Sequence, residues 1–406
     1  MSNRITYFGQ WLRDAWGIFV NEIKMIGRDN GVILIFCFAG LVYPVLYNWI
    51  YGHGTVDEMP IAVVDNSQGS YSRRYIREID ATREAKVAYD CISLAEAQRL
   101  MQEQKIHGII YIPADFDEKL VHREQGVIST YADMSTFLYY KNMMLCTNQV
   151  MLEEVHAIQA EHYAAAGLTG EDARMLIEPV GYDSFLQFNP TISFTMFFIY
   201  MAMMMILQQV MFYGSSMLAG TLREEGRGFA RLSDELSGHG MGRIVLGRGF
   251  AYYIIFMALG MWGCLMVPHL FHLPMHCHWW EMVVLLLFFV ADIIFFSFTW
   301  SSAISKRETV FVLLLSVTPI AVFLTGFTWP TDNFPVFWKM VSYVFPTTFG
   351  CRAYMNLCNA GTLDAIAPEI RALTIQTVVY FVLASVAALV ENRHGEQIHE
   401  KTGGLL

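Results

Sequence analysis

The sequence is poor in charged residues. Asp, Glu, Lys and Arg make up 16% of its 406 residues, whereas soluble proteins carry about 25%. Hydrophobic residues make up 54%, and several apolar runs have the roughly 20 residues needed to cross a bilayer. This composition excludes an ordinary soluble protein and predicts a polytopic α-helical membrane protein.

Several chemical motifs are also missing. The seven cysteines show no C-x-x-C spacing, which indicates neither a zinc site nor a redox pair. The chain has no Gly-x-x-x-x-Gly-Lys-Ser/Thr motif, so we do not expect it to hydrolyse ATP. It carries no nucleic-acid footprint, and no cleavable signal peptide is expected because the first apolar run begins only at Val32. The sequence therefore predicts neither an enzyme nor a chain with its own cofactor or metal.

Residues 1–30 predict an amphipathic helix on the cytoplasmic face of the membrane. Apolar residues recur at three- and four-residue spacing, and polar residues, Glu22 among them, occupy the other face. Two tryptophans, Trp11 and Trp16, suit the headgroup layer. The alternative is a helix docked on other parts of the protein.

Six membrane spans are predicted. The first, in residues 31–51, contains Pro44, and five more belong to a transmembrane domain at 189–406. Lys and Arg in the short loops place both termini in the cytoplasm. The later spans are expected at Thr191–Tyr213, Ile244–Val267, Met282–Ala303, Val310–Phe327 and Thr374–Val390.

Residues 52–188 predict an α/β domain. Short strands alternate with helices, which implies βαβ units and a mostly parallel sheet. One crossing from the cytoplasm places this domain outside it. Aspartates such as Asp65 and Asp115 follow strands, where α/β active sites lie, but Asp is also an ordinary turn residue. The expected strands are Ile61–Asp65, Lys86–Tyr89, His107–Pro113 and Val127–Ala132.

The cytoplasmic loop 214–243 contains a polar segment, Thr221–Leu232. Its charges could serve topology alone, because the positive-inside rule favours arginine there. The alternative is that this segment is a functional site that couples the chain to a partner protein. The candidate coupling residues are Arg223, Glu224, Glu225, Gly228 and Arg231.

Two polar residues lie within predicted spans. Asp292 is a carboxyl group at membrane depth, which is costly and marks a functional site by default. It could line a substrate path, couple to protons, or bond to a neighbouring helix while protonated. Gln208 is a second path candidate and could hydrogen-bond between helices. The four histidines in loop 269–278 have no diagnostic metal spacing.

Residues 328–350 predict a hairpin on the outer face. Three prolines among aromatic residues suit neither a soluble loop nor two spans, whereas a re-entrant or interfacial helical hairpin fits, because broken backbone is permitted when buried in protein. The candidate outer-gate residues are Trp329, Pro330, Pro335, Pro346 and Thr347.

These features together resemble permeases of the ABC-2 type. In that family the second span is followed by Arg-Glu-x-Glu-x-Gly-Thr and later by Gly-Lys. Here Arg223, Glu224 and Gly228 keep the pattern, and Gly247-Arg248 stands in place of Gly-Lys. Gly226 replaces the second Glu, and the family's Gly-x-x-x-Pro, Pro and Pro-x-Thr pattern resembles the hairpin. Val63–Ser67 and Gly108–Phe116 resemble the extracytoplasmic insert of one subfamily.

The resemblance implies a transmembrane subunit of an exporter in a bacterial inner membrane. It implies a separate ABC ATPase that binds ATP and Mg, a second permease subunit of like or unlike sequence, and in two-membraned bacteria a periplasmic adaptor. Two alternatives remain open at this point. One is a receptor or scaffold that senses a ligand through residues 52–188, and the other is a proton-coupled transporter that uses Asp292.

Overall fold

The chain folds into two compact units, Met1–Gly54 with Ile192–Leu406, and Thr55–Thr191. The computed structural model describes residues 2–403 except 53, 169, 181–184, 186–188, 190–192, 226–240 and 328. Side chains are not described at 2–10, 12, 195, 197, 241 and 392–403.

The long elements of the first unit are all helices. The unit opens with α1 (Ser2–Arg28), and its remaining helices form a bundle around one central helix, α9 (Phe194–Glu224). These are α2 (Asn30–Leu34), a π-helical segment (Ile35–Val42), α3 (Tyr43–Ile50), α9 (Phe194–Glu224), α10 (Met241–Met261), a π-helical segment (Trp262–Met266), α11 (Val267–Leu270), α12 (Trp279–Ser301), α13 (Thr309–Leu324), α14 (Val336–Ser342), α15 (Pro346–Ala360) and α16 (Ala367–Gly403).

Five helical stretches among the described residues are long and apolar enough to cross a membrane. The fifth predicted span, Val310–Phe327, corresponds to α13, which has only 16 residues. At 1.5 Å per residue it measures about 24 Å, shorter than a hydrocarbon core of about 30 Å. The chain is therefore a multi-pass membrane protein, and the crossing by α13 stays a prediction. The five stretches are Asn30–Ile50, Phe198–Glu224, Gly242–Leu270, Trp279–Ser301 and Leu363–Glu391.

The central helix α9 is longer than the sequence predicted. It continues from Phe194 to Glu224, so the predicted loop 214–243 is wrong over its first eleven positions. Two glycines in this part of α9 have a packing role. A Cβ at Gly214 would lie 2.1 Å from Phe36, and one at Gly220 would lie 2.8 Å from the Arg307 backbone. These glycines let neighbouring elements approach the helix closely.

The predicted hairpin at 328–350 consists of two helices of different character. Helix α14 is exposed, with Val336 and Phe337 more than half accessible. Helix α15 is buried on its inner side and continues to Ala360, ten residues beyond the predicted end. Pro346 occupies its first turn, where a missing N–H costs nothing. Its end is marked by Gly361 in the left-handed region.

The second unit contains a four-stranded sheet in the order β2-β1-β3-β4. Strands β1 and β2, and β1 and β3, pair in parallel, as the alternating pattern predicts. Its elements are β1 (Met59–Asp65), α4 (Ser70–Asp80), β2 (Ala85–Asp90), α5 (Leu94–Gln102), β3 (Gly108–Ile112), α6 (Phe116–Val121), β4 (Ser129–Ala132), α7 (Phe137–Ala165) and α8 (Glu171–Ile177).

Strand β4 departs from the parallel expectation because it runs antiparallel to β3. The intervening helix α6 has six residues, which span about 9 Å. Strand β3 measures about 17 Å at 3.3 Å per residue. Helix α6 alone therefore does not span the length of β3, and the segment 122–128 leads into β4, which pairs antiparallel with β3.

The sheet is covered on both faces, as the buried β1 sequence requires. Ile61 and Val63 of β1 pack with Tyr75 of α4 and Met143 of α7 on one face. The alternate residues of β1, such as Val64, point to the other face of the sheet and pack against α5.

Candidate functional site

Ion pairs cluster where α9 ends. We call this set of residues the charged belt; it links α1, the start of α2, α9, α10, the α12–α13 loop and α16. Its members are Asp14, Glu22, Asp29, Arg223, Arg243, Arg248, Arg307 and Glu391. Only Arg223 was among the predicted coupling residues.

Arg223, in the last turn of α9, uses its whole guanidinium fork within the chain. Its Nε and Nη2 donate to the two carboxylate oxygens of Glu391 at 2.9 and 3.0 Å. Its Nη1 donates to the carbonyl oxygens of Ser301 and Ile304 at 2.7 and 2.6 Å. The first carbonyl belongs to the last residue of α12, and the second belongs to the loop that follows it. Arg223 therefore joins α9, α12 and α16.

Arg307 makes the second junction. Its guanidinium donates to both carboxylate oxygens of Asp29 at 2.6 and 2.8 Å, and to Thr221 Oγ1 at 2.8 Å. Asp29 also caps α2 by accepting from the Gly31 and Val32 amides. The hydrogen bonds from Arg307 are the largest cause that holds the pKa of Asp29 below its ordinary value. The α12–α13 loop is thus fixed to the start of the first span.

Helix α1 is held against α10 by two further pairs. Arg248 Nε donates to Glu22 Oε2 at 2.7 Å, and both side chains are at least 96% buried. Arg243, whose side chain is fully buried, pairs with Asp14. Gly247 permits this approach, because a Cβ there would lie 3.0 Å from the Ala15 carbonyl oxygen. The Gly247-Arg248 pair noted in the sequence thus has a packing role and an electrostatic role.

The belt corrects the predicted orientation of α1. Glu22 was placed on the polar, outward face, but it is buried together with Ile18 and Ile26, at four-residue spacing. Trp16 is 62% exposed instead. The missed signal is the pair of arginines in the first turns of α10, which positive-inside topology explained without any need for acidic partners.

Of the remaining predicted coupling residues, two are described by the structure and two are not. Glu224 and Glu225 are exposed at the end of α9, and Glu224 Oε1 accepts from the Arg307 backbone N–H at 3.2 Å. Gly228 and Arg231 lie outside the described residues. The structure thus places Glu224 on the surface above the two arginine junctions.

Gln208 and Thr347, predicted separately, meet inside the bundle. The side-chain oxygen of Gln208 accepts from the Thr347 backbone N–H at 2.9 Å, and both residues are buried. This bond satisfies one of the amides at the start of α15. Gln208 therefore anchors the inner arm of the hairpin to the central helix, as the hydrogen-bonding alternative for this residue expected.

Asp292 lies in the middle of α12 and is fully buried. Neither carboxylate oxygen has a hydrogen-bond partner among the described residues. The alternative in which Asp292 bonds to a neighbouring helix is therefore wrong for this conformation. A carboxylate without a partner is costly in such surroundings.

The other hairpin candidates are mostly at the surface. Trp329 is 58% exposed, and Pro330 and Pro335 are exposed as well. Pro330 borders a cavity of about 280 Å³ whose lining includes Met201, Thr325 and Arg352. Pro346 is buried at the start of α15. The four loop histidines belong to no group of three or more possible metal ligands within the described part of the chain.

Comparison with known families gives one match. Residues 31–386 match the family described as "ABC-2 family transporter protein". No curated protein matches the chain significantly. The matched segment covers most of the chain and takes in α9, the belt residues from Arg223 to Arg307, and the hairpin. The chain belongs to the ABC-2 family of transporter permeases.

Proposed function

We propose that this chain is the transmembrane subunit of an ABC exporter and that a separate ATPase docks on the charged belt. The family implies an ABC ATPase partner and usually a dimer. The observation that carries the docking site is the belt itself, in which Arg223 and Arg307 join four helices and a loop at the end of α9. Force applied there reaches the whole bundle.

Within the proposed docking site, solvent exposure distinguishes the residues that would contact the ATPase from those that hold the site in place. Arg223 and Arg307 spend their guanidinium donors on acceptors of their own chain. Glu224 and Glu225 are exposed beside them. In the proposed complex Glu224 and Glu225 contact the ATPase, and the arginines keep that surface rigid.

The contacts at the two ends of the short helix α13 support six membrane crossings. Arg307, just before α13, contacts Thr221 near the end of α9. Thr325, just after it, contacts Met201 near the start of α9. These contacts place α13 alongside Met201–Thr221, which is about 30 Å of α9, and counting α13 as a span puts both termini on the belt side. We propose that this side is the cytoplasm of a bacterial inner membrane.

The chain leaves the helical unit at the other end of the bundle. The Gly54 carbonyl oxygen accepts from the Phe194 N–H at 3.0 Å, so residues 55–191 are inserted at the start of α9. The belt lies at its far end, about 45 Å away along 31 residues. The α/β unit is then extracytoplasmic, where it receives cargo or docks a periplasmic adaptor.

The mechanism follows from differential binding. ATP closes the ATPase dimer, and the closed dimer binds one arrangement of the belt better than the other. The equilibrium between the two permease arrangements shifts only by that difference in affinity. Because Gln208 joins α9 to α15, a movement of α9 also moves the inner arm of the outer hairpin.

The test is co-purification of the solubilised chain with its cellular partners, in gentle detergent with nucleotide. The wild type should retain an ATPase, and Glu224→Arg should lose it because the contact charge is reversed. The matched control is Glu78→Arg, which reverses an equally exposed glutamate on α4. Equal ATPase recovery with Glu224→Arg and wild type would contradict the docking site, and no ATPase with any form would contradict the transporter assembly.

A proton-coupled function is the second candidate, favoured by the burial of Asp292 without a partner. It predicts that transport depends on a pH gradient without nucleotide. An Asp292→Asn variant should abolish that dependence. Nucleotide-dependent transport that persists in Asp292→Asn would reject this candidate.

A further inference from the structure

Two of the seven cysteines meet at the end of the bundle opposite the belt. Cys277 lies in the loop before α12, and Cys358 lies in the last turn of α15. The His276 N–H donates to the Cys358 carbonyl oxygen at 2.9 Å, so the two backbones are adjacent. The His276 ring Nδ1 lies 3.1 Å from the same carbonyl oxygen, and Cys277 is the next residue along the loop.

The loop that carries Cys277 is fixed on both sides. The Tyr200 hydroxyl of α9 donates to the Pro274 carbonyl oxygen. Gly361, at φ +72°, lets the end of α15 approach closely, because a Cβ there would lie 2.8 Å from the His276 carbonyl oxygen. Several independent contacts therefore hold the loop that carries Cys277 next to the end of α15 that carries Cys358.

The two sulfurs differ in access. Cys358 is fully buried, whereas Cys277 is partly exposed. The hydrogen bond with Cys358 is the main cause that lowers the pKa of the Cys277 thiol. Thiolate is the reactive form in exchange, so Cys277 is the thiol that an external reagent meets first.

We propose that Cys277 and Cys358 form a reversible disulfide that ties the end of α15 to the loop before α12. The sequence spacing gave no sign of this pair. Cys351 does not join it, because its sulfur faces the Met201 carbonyl oxygen at 3.6 Å.

The chemistry is thiol–disulfide exchange with an external disulfide as oxidant. The Cys277 thiolate attacks one sulfur of that disulfide and expels the other as a thiolate. The Cys358 thiolate then attacks the Cys277 sulfur of the mixed disulfide and releases the second thiol. Two cysteine thiols are oxidised, one external disulfide is reduced to two thiols, and the two protons pass to solvent or to the released thiolates. The sulfurs finish about 2.05 Å apart.

The inference rests on the proposed function in one respect. If the belt is cytoplasmic, the cysteine pair lies at the oxidising, extracytoplasmic end. The bond would enclose α12, α13, α14 and most of α15 in one covalent loop. It would thereby restrain α15, the inner arm of the hairpin, relative to the start of α12.

The first experiment does not depend on orientation. The purified chain in detergent is treated with oxidised glutathione, free thiols are alkylated, and peptides are mapped by mass spectrometry without reduction. We expect a 277–358 linked peptide, lost in Cys277→Ser and in Cys358→Ser and kept in the control Cys351→Ser. Gly361→Ala should lower its yield severalfold. No linked peptide, or one that joins Cys264 or Cys351, would overturn the proposal.

The second experiment tests the compartment. Whole cells are treated with a membrane-permeant alkylating reagent before lysis, and the same peptides are mapped. A 277–358 disulfide in cells supports both the pair and its outward position. If the bond forms with glutathione in detergent but is absent from cells, the proposal of a disulfide in the working protein fails. External labelling of Cys277 with an impermeant maleimide then separates the two failures: labelling upholds the proposed topology, and its absence contradicts it.

Discussion

The buried pair between Glu22 and Arg248 gives the sharpest test of how α1 is held. Replacing Arg248 with Met keeps most of the side-chain volume but leaves the Glu22 carboxylate buried without its partner. Both side chains are at most 4% exposed, so water does not screen the loss. Breaking such a pair costs about 3–5 kcal/mol, and Glu22→Leu alone should cost a similar amount.

The double variant Glu22→Leu with Arg248→Met should behave differently. It removes both charges, and replacing a buried pair with apolar residues is often neutral or stabilising. We therefore expect its stability to lie within about 1 kcal/mol of the wild type, with a coupling energy of several kcal/mol. The assay is unfolding in mixed micelles by titration with sodium dodecyl sulfate, followed by tryptophan fluorescence.

An exposed pair serves as the control for this cycle. Arg83 and Asp57 lie 2.9 Å apart but are about half accessible, so their coupling should fall well below that of the buried pair. The reasoning would be refuted if each single variant at Glu22 or Arg248 lost less than about 1 kcal/mol. It would also be refuted if the double variant lost the sum of the single losses.

Three further predictions follow from single contacts. Asp292→Val should stabilise the detergent-solubilised protein by about 1–3 kcal/mol, because it removes a buried polar group without a partner; a lower melting temperature would show that the carboxyl group has an unseen partner. Gln208→Leu should destabilise by about 1–3 kcal/mol and speed amide exchange at Thr347, since it leaves that N–H unpaired, whereas Gln208→Glu should keep the bond. The hydrogen bond from His107 lowers the pKa of Asp133, so its contribution to stability is present above the unfolded value of about 3.9 and is lost as the pH falls through the lower folded value. Asp133→Asn should flatten the acid side of the stability profile, and an unchanged profile would contradict this assignment.

The sequence predicted elements well where local periodicity decides them. The strands at Gly108–Ile112 and Ser129–Ala132 lie within the predicted ranges, because apolar spacing and turn residues are local signals. The direction of β4 was not predictable in this way. A mostly parallel sheet often carries an antiparallel edge strand, and the alternating pattern does not distinguish the two directions.

The contacts of the charged belt were even harder to predict from local sequence patterns. Arg223 and Glu391 are 168 residues apart, and Arg307 and Asp29 are 278 apart. Each residue by itself has an ordinary explanation, since arginines near span ends serve topology. The sequence pattern therefore located Arg223 but could not name its acceptors. Gln208 and Thr347 were both identified, yet no local signal joined them across 139 residues.

The arginines of the charged belt donate to side-chain carboxylates and to backbone carbonyl oxygens, and these two kinds of acceptor permit different substitutions during evolution. The contact between Glu22 and Arg248 joins two side-chain charges, so a lineage could exchange the two signs through paired substitutions. Arg223 cannot be exchanged in this way, because two of its four acceptors are backbone carbonyl oxygens whose partial charge no mutation alters. Among descendants of this chain, position 248 should therefore drift together with position 22, whereas position 223 should stay arginine even where position 391 changes.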